Sequence, residues 1–215
     1  MKDSALLQYI SDLLSHLPHD WLRLTTHRLD IYDESRAKSH FVEELEKLYS
    51  ASNSESAALS VLPTAYDYIR LGHPLSSVLE WAVARLNGLA PDSVISFSSQ
   101  TMPILALLRK NLLEKKDTQI LYRDSLPECF DPVALKDVYG YSFKTKQVED
   151  LSEVPPFTGT TIFVCQNSDL SAVALSSDID FVVCIEDSLG SILVVNGEEN
   201  KSYISEIQHV RRRET

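Results

Sequence analysis

The period of the hydrophobic positions changes several times along this chain, and the changes mark out its elements. Between residues 4 and 17, Leu6, Leu7, Ile10, Leu13, Leu14 and Leu17 recur at three- and four-residue intervals, the spacing of one helix face. Ser4 is the expected N-cap and Pro18 the stop. A second helix is expected over residues 34–49, with Phe41, Val42, Leu45 and Leu48 on one face and charges on the other. Between the two, Trp21-Leu22-Arg23-Leu24 fits either a short strand or a helical turn. Residues 50–60 (SASNSESAALS) are small and polar, the composition of a linker. Two regions follow: a helical N-terminal segment with its linker over residues 1–59, and a larger domain over residues 60–215.

Residues 68–109 read as helix, turn, strand, turn, helix. Pro74 suits a first helical position, where its missing N–H would be unpaired anyway. Leu75, Val78, Leu79, Ala82 and Leu86 then share a helix face, and Asn87-Gly88 ends it. Val94-Ile95-Ser96-Phe97 is a short apolar strand, after which Ser98-Ser99-Gln100-Thr101 opens a helix carrying Ile104, Leu105, Leu107 and Leu108. Further strands are expected at residues 119–122, 139–146, 161–165, 181–185 and 192–195, with helices at 131–138 and 202–213. The last two strands follow too closely for a helical crossover, which makes them an antiparallel pair. Alternating strands and helices predict an α/β fold of three αβα layers around a mostly parallel sheet of five to seven strands.

Composition narrows the function. A formal net charge of −11 weighs against general nucleic-acid binding, which needs a cationic surface. The cluster Arg211-Arg212-Arg213 ends the last helix, where it complements the helix dipole. Cys129, Cys165 and Cys184 are odd in number and lack a CxxC pair, as expected of reduced thiols rather than a disulfide or zinc framework. Without a signal-peptide pattern or an eighteen-residue apolar run, a cytoplasmic or nuclear location with no membrane contact is expected. Ser98 and Ser99 lack a GxSxG context, and His73 before Pro74 reads as a turn residue. Glu186 and Asp187 could serve as acid and base, or form a solvated turn.

Tyr68-Ile69-Arg70, Gly72-His73-Pro74, Leu79-Glu80 and Ser99-Gln100-Thr101 stand near the spacing of a Tyr-x-Arg, an Asn-Pro, a Leu-Glu helix and a Ser-Gly-Met turn. Later come QILYRDSLPECF, TTIFVCQNSDL and IDFVVCIEDSLGSILVVNG. In this order, over residues 65–215, the chain resembles the large domain of the Cys/Met-metabolism family of pyridoxal-phosphate enzymes, such as cystathionine γ-synthase and γ-lyase. The resemblance implies the large-domain fold, without the small domain that closes the family's site. It also implies a Schiff-base Lys after the strand at 181–185, where this chain has Glu186-Asp187-Ser188 and no Lys before Lys201. The family's ring-stacking aromatic falls at Pro127, and its turn glycine at Gln100. The strand bearing the pyridine-binding Asp is expected to be missing, since residues 167–179 leave room for one short helix.

The resemblance also makes Tyr68, Arg70 and Ser99 candidates for a vestigial phosphate site, the first two reaching into a neighbouring subunit. Their structural alternatives are packing for Tyr68, local pairing for Arg70 and a helix N-cap for Ser99. The expectation is a degenerate family member: a pseudoenzyme with no catalytic residue, no cofactor and no metal, acting as an interaction or regulatory subunit. Its partner is expected to be a second copy or a paralogue, met through Tyr66, Tyr68, Ile69, Arg70 and Leu71, which include types enriched at interface hot spots. The alternatives are an active C–S lyase or transferase, the lysine-less subunit of a heterodimeric enzyme, and an anion sensor built on Ser99 and Arg70.

Overall fold

The computed structural model describes residues 2–22, 37–63, 73–149, 154, 156–166, 170, 176–187 and 190–211. Its contacts divide the chain into two compact units, Met1–Asp92 and Ser93–Arg211. No helix among the described residues is long and apolar enough to cross a membrane.

The first unit is helical: α1 (Lys2–Ser15), α2 (Ala37–Ser50), α3 (Ser56–Ser60) and α4 (Pro74–Leu86). Its core joins Leu6, Tyr9 and Leu13 of α1 to Phe41 and Leu45 of α2, Leu59 of α3, and Val78 and Trp81 of α4. The α1 stripe is turned from the expected one, for Leu7 and Leu14 are 55% and 51% exposed. Tyr9 takes the inward place instead, because its ring can do what an aliphatic residue cannot. It packs edge-on against Tyr49 and Trp81 (centroids 5.0 and 6.2 Å apart) while its hydroxyl donates to the Asn53 carbonyl at 3.0 Å. Ser4 lies inside α1, which starts at Lys2 rather than after Ser4.

In α4 Leu79 and Leu86 are exposed, and the buried face turns to Ser77, Val78, Trp81 and Ala84. The cause is again an aromatic residue, Trp81, whose indole is the largest fully buried side chain. The expected linker is a turn followed by α3, and its single large apolar residue, Leu59, is fully buried. Trp21 stands in a 3₁₀ turn, His19–Leu22, while Arg23 and Leu24 lie outside the described residues, as do residues 34–36. As expected, α4 begins at Pro74 and ends at Asn87-Gly88, where Gly88 adopts φ +67° and Leu89 N–H reaches the Ala84 carbonyl.

Several polar groups inside this unit are paired. Lys38 of α2 and Glu80 of α4 form an ion pair of 2.7 Å with 6% and 0% of their side chains exposed. Glu46 accepts from the Trp81 indole N–H at 2.7 Å and pairs with Arg85, whose guanidinium lies 4.4 Å from the centre of the Tyr49 ring. Burial, with Glu46 nearby, pushes the Tyr9 phenol up to about 12. The Ser77 hydroxyl is buried without a hydrogen-bond partner among the described residues.

The second unit is α/β. Strands β1 (Val94–Phe97), β2 (Thr118–Tyr122), β3 (Phe143–Gln147), β4 (Thr160–Gln166), β5 (Phe181–Glu186) and β6 (Gly190–Val195) form one sheet in the order β1-β6-β5-β4-β2-β3. Five strands run parallel, and β6 lies antiparallel between β5 and β1. On one face Ile95, Ile120, Ile162, Val183 and Leu193 form a core with α5 (Met102–Glu114), α6 (Pro132–Asp137) and α7 (Ser202–Arg211). On the other face Leu121, Phe163, Val182 and Val194 are also buried. β3 begins at Phe143, later than the expected residue 139. Tyr139 and Tyr141 instead stack their rings in the connection before it, 6.0 Å apart and 11° from parallel. α7 is described as far as Arg211, and Arg212 and Arg213 lie outside the described residues.

A buried polar network joins α5 and α7 to the amino ends of β2 and β4. Asn111 donates to the Thr118 hydroxyl at 2.8 Å, and its carbonyl accepts from the Tyr203 hydroxyl at 2.7 Å and from Thr160 at 3.3 Å. Lys116 donates to the Tyr203 oxygen at 3.1 Å, while Lys110 and Lys116 each pair with Glu114 at 2.9 Å. Hydrogen bonds from Lys110 and Lys116 hold the Glu114 carboxyl down at about 2.

Two expectations follow for stability. Lys38→Met should cost about 3–5 kcal/mol in urea unfolding, because it strips a buried carboxylate of its cation. Ser77→Ala should be neutral or slightly stabilising, since it removes a buried polar group that makes no bond among the described residues. A Lys38→Met protein as stable as wild type would contradict the first. As for pH, the Glu114 carboxyl titrates near 4.5 when unfolded and at about 2 when folded. The unfolded chain therefore binds the proton first, and the network's contribution, complete above pH 4.5, falls away as pH drops toward 2. Glu114→Gln should flatten that part of the acid stability profile, measured by urea unfolding at stepped pH.

Candidate functional site

In open sheets of parallel strands, ligands bind outside the carboxyl ends of the strands. In the second unit this edge collects Ser98–Thr101 after β1, Arg123–Ser125 after β2, Gln147 and Gln166 at the ends of β3 and β4, and Glu186 with Asp187 at the end of β5. Because β6 is antiparallel, Gly190 and Ser191 at its start belong to the same edge.

The turn after β1 is fixed by its own hydroxyl. Ser99 Oγ accepts from the backbone N–H groups of Thr101 and Met102, each at 3.2 Å, just ahead of α5, whose N-cap position is Thr101. The Ser99 carbonyl accepts from the Ser191 hydroxyl at 2.7 Å, which ties the turn to β6. Gly190 makes this approach possible. Its φ is +102°, and a Cβ there would overlap the Phe97 carbonyl oxygen and lie 2.7 Å from the Ser98 carbonyl carbon.

The neighbouring loops are tied down in a similar way. Gln147 donates its amide to the carbonyls of Arg123 and Asp124 at 3.0 and 3.2 Å, and Gln166 donates to the Ser125 hydroxyl at 3.0 Å. The Arg123 guanidinium lies 5.7 Å from the centre of the Phe163 ring. Glu186 stands in register with Gly190, and its carboxylate accepts from the Cys184 thiol at 3.8 Å. The edge thus presents carboxylates, hydroxyls and side-chain amides, with a guanidinium at the end of β2. Pro127, where the resemblance implies an aromatic, is buried.

Lys201 is at the other edge. β6 runs back from Gly190 to Val195, and Asn200 then hydrogen-bonds Asp180, which immediately precedes β5. Lys201 itself pairs with Glu198 at 2.7 Å. His73 caps α4, its Nδ1 accepting from Leu75 N–H at 3.1 Å, and burial lowers its pKa. Tyr68 and Arg70, with Tyr66, Ile69 and Leu71, lie outside the described residues. So do Ser188 and most of residues 167–175, where a strand was expected to be missing.

The sequence reading did not single out Arg123, Gln147, Gln166, Gly190 or Ser191 as site residues. The available signal was positional: each follows or ends a strand expected at the carboxyl edge of a parallel sheet, or opens the antiparallel strand there. The first unit has a cleft of about 380 Å³, lined by α2, α4 and the segment after α4 and including Glu43, Glu46, Trp81, Arg85 and Asp92. Glu46 is already engaged by Trp81 and Arg85 there. Among the described residues no group of three or more His, Cys, Asp or Glu side chains is arranged to hold a metal ion.

The sequence matches no family model and no curated protein. Among solved structures it is similar to metB from Corynebacterium glutamicum, at 19% identity and a TM-score of 0.44, over 85% of this chain and 63% of that one. It is similar also to cystathionine gamma synthase from Xanthomonas oryzae pv. oryzae, solved in complex with aminoacrylate and cysteine, at 16% identity and a TM-score of 0.46. That match covers 85% of this chain and 59% of the other. The chain therefore spans less than two thirds of the length of either structure, and the likeness assigns no chemistry to it.

Proposed function

We propose that this chain is a non-catalytic relative of the pyridoxal-phosphate enzymes of Cys/Met metabolism and works by binding a protein partner. The observation that carries the reading is the acidic end of β5, where Glu186 and Asp187 occupy the place in which the sequence resemblance requires a Schiff-base lysine. The residues at this edge do not fit pyridoxal phosphate. Two carboxylates oppose an anionic cofactor, the Ser99 hydroxyl already takes the N–H groups of Thr101 and Met102, and Lys201 stands beyond the opposite end of β6.

Incubation with pyridoxal phosphate followed by borohydride should give no saturable adduct at a single lysine, and the purified protein should lack the absorption of an internal aldimine. Stoichiometric labelling of Lys201, abolished by Lys201→Ala, would reverse this and restore an enzymatic reading.

The partner in this reading is a second copy or a paralogue, engaged through Tyr66, Tyr68, Ile69, Arg70 and Leu71. Tyr and Arg are enriched at interface hot spots, where truncation costs about 2 kcal/mol or more. Tyr68→Ala with Arg70→Ala should therefore weaken association at least tenfold while the circular dichroism of the fold persists. The check is sedimentation at micromolar concentration. A wild-type chain that stays monomeric, alone and with its copurifying proteins, ends this part of the proposal.

A further inference from the structure

Two of the three cysteines face each other across the centre of the sheet. In the parallel register of β4 and β5, Cys165 is the partner of Cys184. In-register neighbours project to the same face of a sheet, so both thiols stand on the face of Phe163 and Val182, 1% and 2% exposed. Adjacent strands are about 4.8 Å apart, inside the range of about 4.4–6.8 Å between Cα atoms that a disulfide spans. Neither cysteine is in a disulfide in this structure.

We propose that Cys165 and Cys184 form a redox-responsive dithiol that closes to an intrachain disulfide between β4 and β5. A peroxide is the suitable oxidant, being small enough to enter where the thiols are almost fully covered. One thiol attacks a peroxide oxygen and becomes a sulfenic acid as the O–O bond breaks and water (for hydrogen peroxide) leaves. The second thiol displaces the sulfenic oxygen as another water, forming the S–S bond. Two protons and two electrons leave the pair, and hydrogen peroxide is reduced to two waters.

Geometry makes this bond reversible. Cβ atoms of in-register parallel neighbours sit about one strand spacing apart, whereas relaxed disulfides hold theirs at about 3.8 Å. Closure therefore draws the two strands together, and a strained disulfide is more easily reduced. The movement falls next to the carboxyl edge. Cys165 precedes Gln166, which holds Ser125, and Cys184 bonds Glu186, which is in register with Gly190. The oxidised and reduced forms should thus present different versions of that edge.

Cys129 is exposed on a separate loop and is removed first as Cys129→Ser. The reduced Cys129→Ser protein, treated with a small molar excess of hydrogen peroxide, should lose two hydrogens in intact mass. Its thiol titre in denaturant should fall from two per chain to none, and dithiothreitol should restore it. A non-reducing digest should contain a linked peptide pair bearing Cys165 and Cys184. Adding either Cys165→Ser or Cys184→Ser should abolish the linkage. Thiols that stay titratable, separate oxidation to sulfinic acids, or linkage only between chains would each overturn the proposal.

Discussion

Strands β4 and β5 are buried on both faces, and this constraint organises the second unit. A strand wrapped in apolar surface has no water for its N–H and C=O groups, so each must be met by a strand on either side. β4 is met by β2 and β5, and β5 by β4 and β6. The last of these pairings decides the chain path. The connection after Glu186 is too short for a helical crossover, so β6 turns back and inserts antiparallel between β5 and β1. That insertion forces the start of β6 against the end of β1, and only a glycine fits there: Gly190, at φ +102° against the Phe97 carbonyl.

This constraint is also why the sheet was readable from residues alone. Continuous apolar runs such as Phe181–Ile185 admit few other interpretations, and the observed strand adds only Glu186. The helix faces were less legible. Leucines in α1 and α4 satisfy a helical period on more than one column, and the packing selected the column that places Tyr9 and Trp81 inward. Leu59 was hidden by composition, since small polar neighbours look like a linker even when one leucine anchors them in a core. Of the site, the polar turn at Ser99 was legible as the approach to a helix, which starts at Met102. The edge residues around it were not, because the strand pattern ends where they begin.

The two edges of the sheet are stabilised differently. The amino edge is locked through side chains, with Asn111, Thr118, Thr160 and Tyr203 each bonded to another member of the set. Fully satisfied buried networks of this kind rigidify and specify a packing. At the carboxyl edge, side chains bind the loops: Gln147 holds two carbonyls after β2, and Ser191 holds one after β1. The loops are thereby shaped by bonds that lie at the ends of strands rather than within a core.

That difference bears on what the carboxyl edge can accept. Displacing the Ser99 hydroxyl from the start of α5 would give up neutral hydrogen bonds worth about 1 kcal/mol each, and an anion's charge-assisted bonds are about twice as strong. Local hydrogen bonding alone would therefore favour an anion. The same edge carries charge of both signs: Gly190 next to the Ser99 turn is in register with Glu186, Asp187 follows at once, and Arg123 follows β2. The turn is thus held by neutral hydrogen bonds of its own, at an edge where the carboxylates of Glu186 and Asp187 and the guanidinium of Arg123 also end or follow strands.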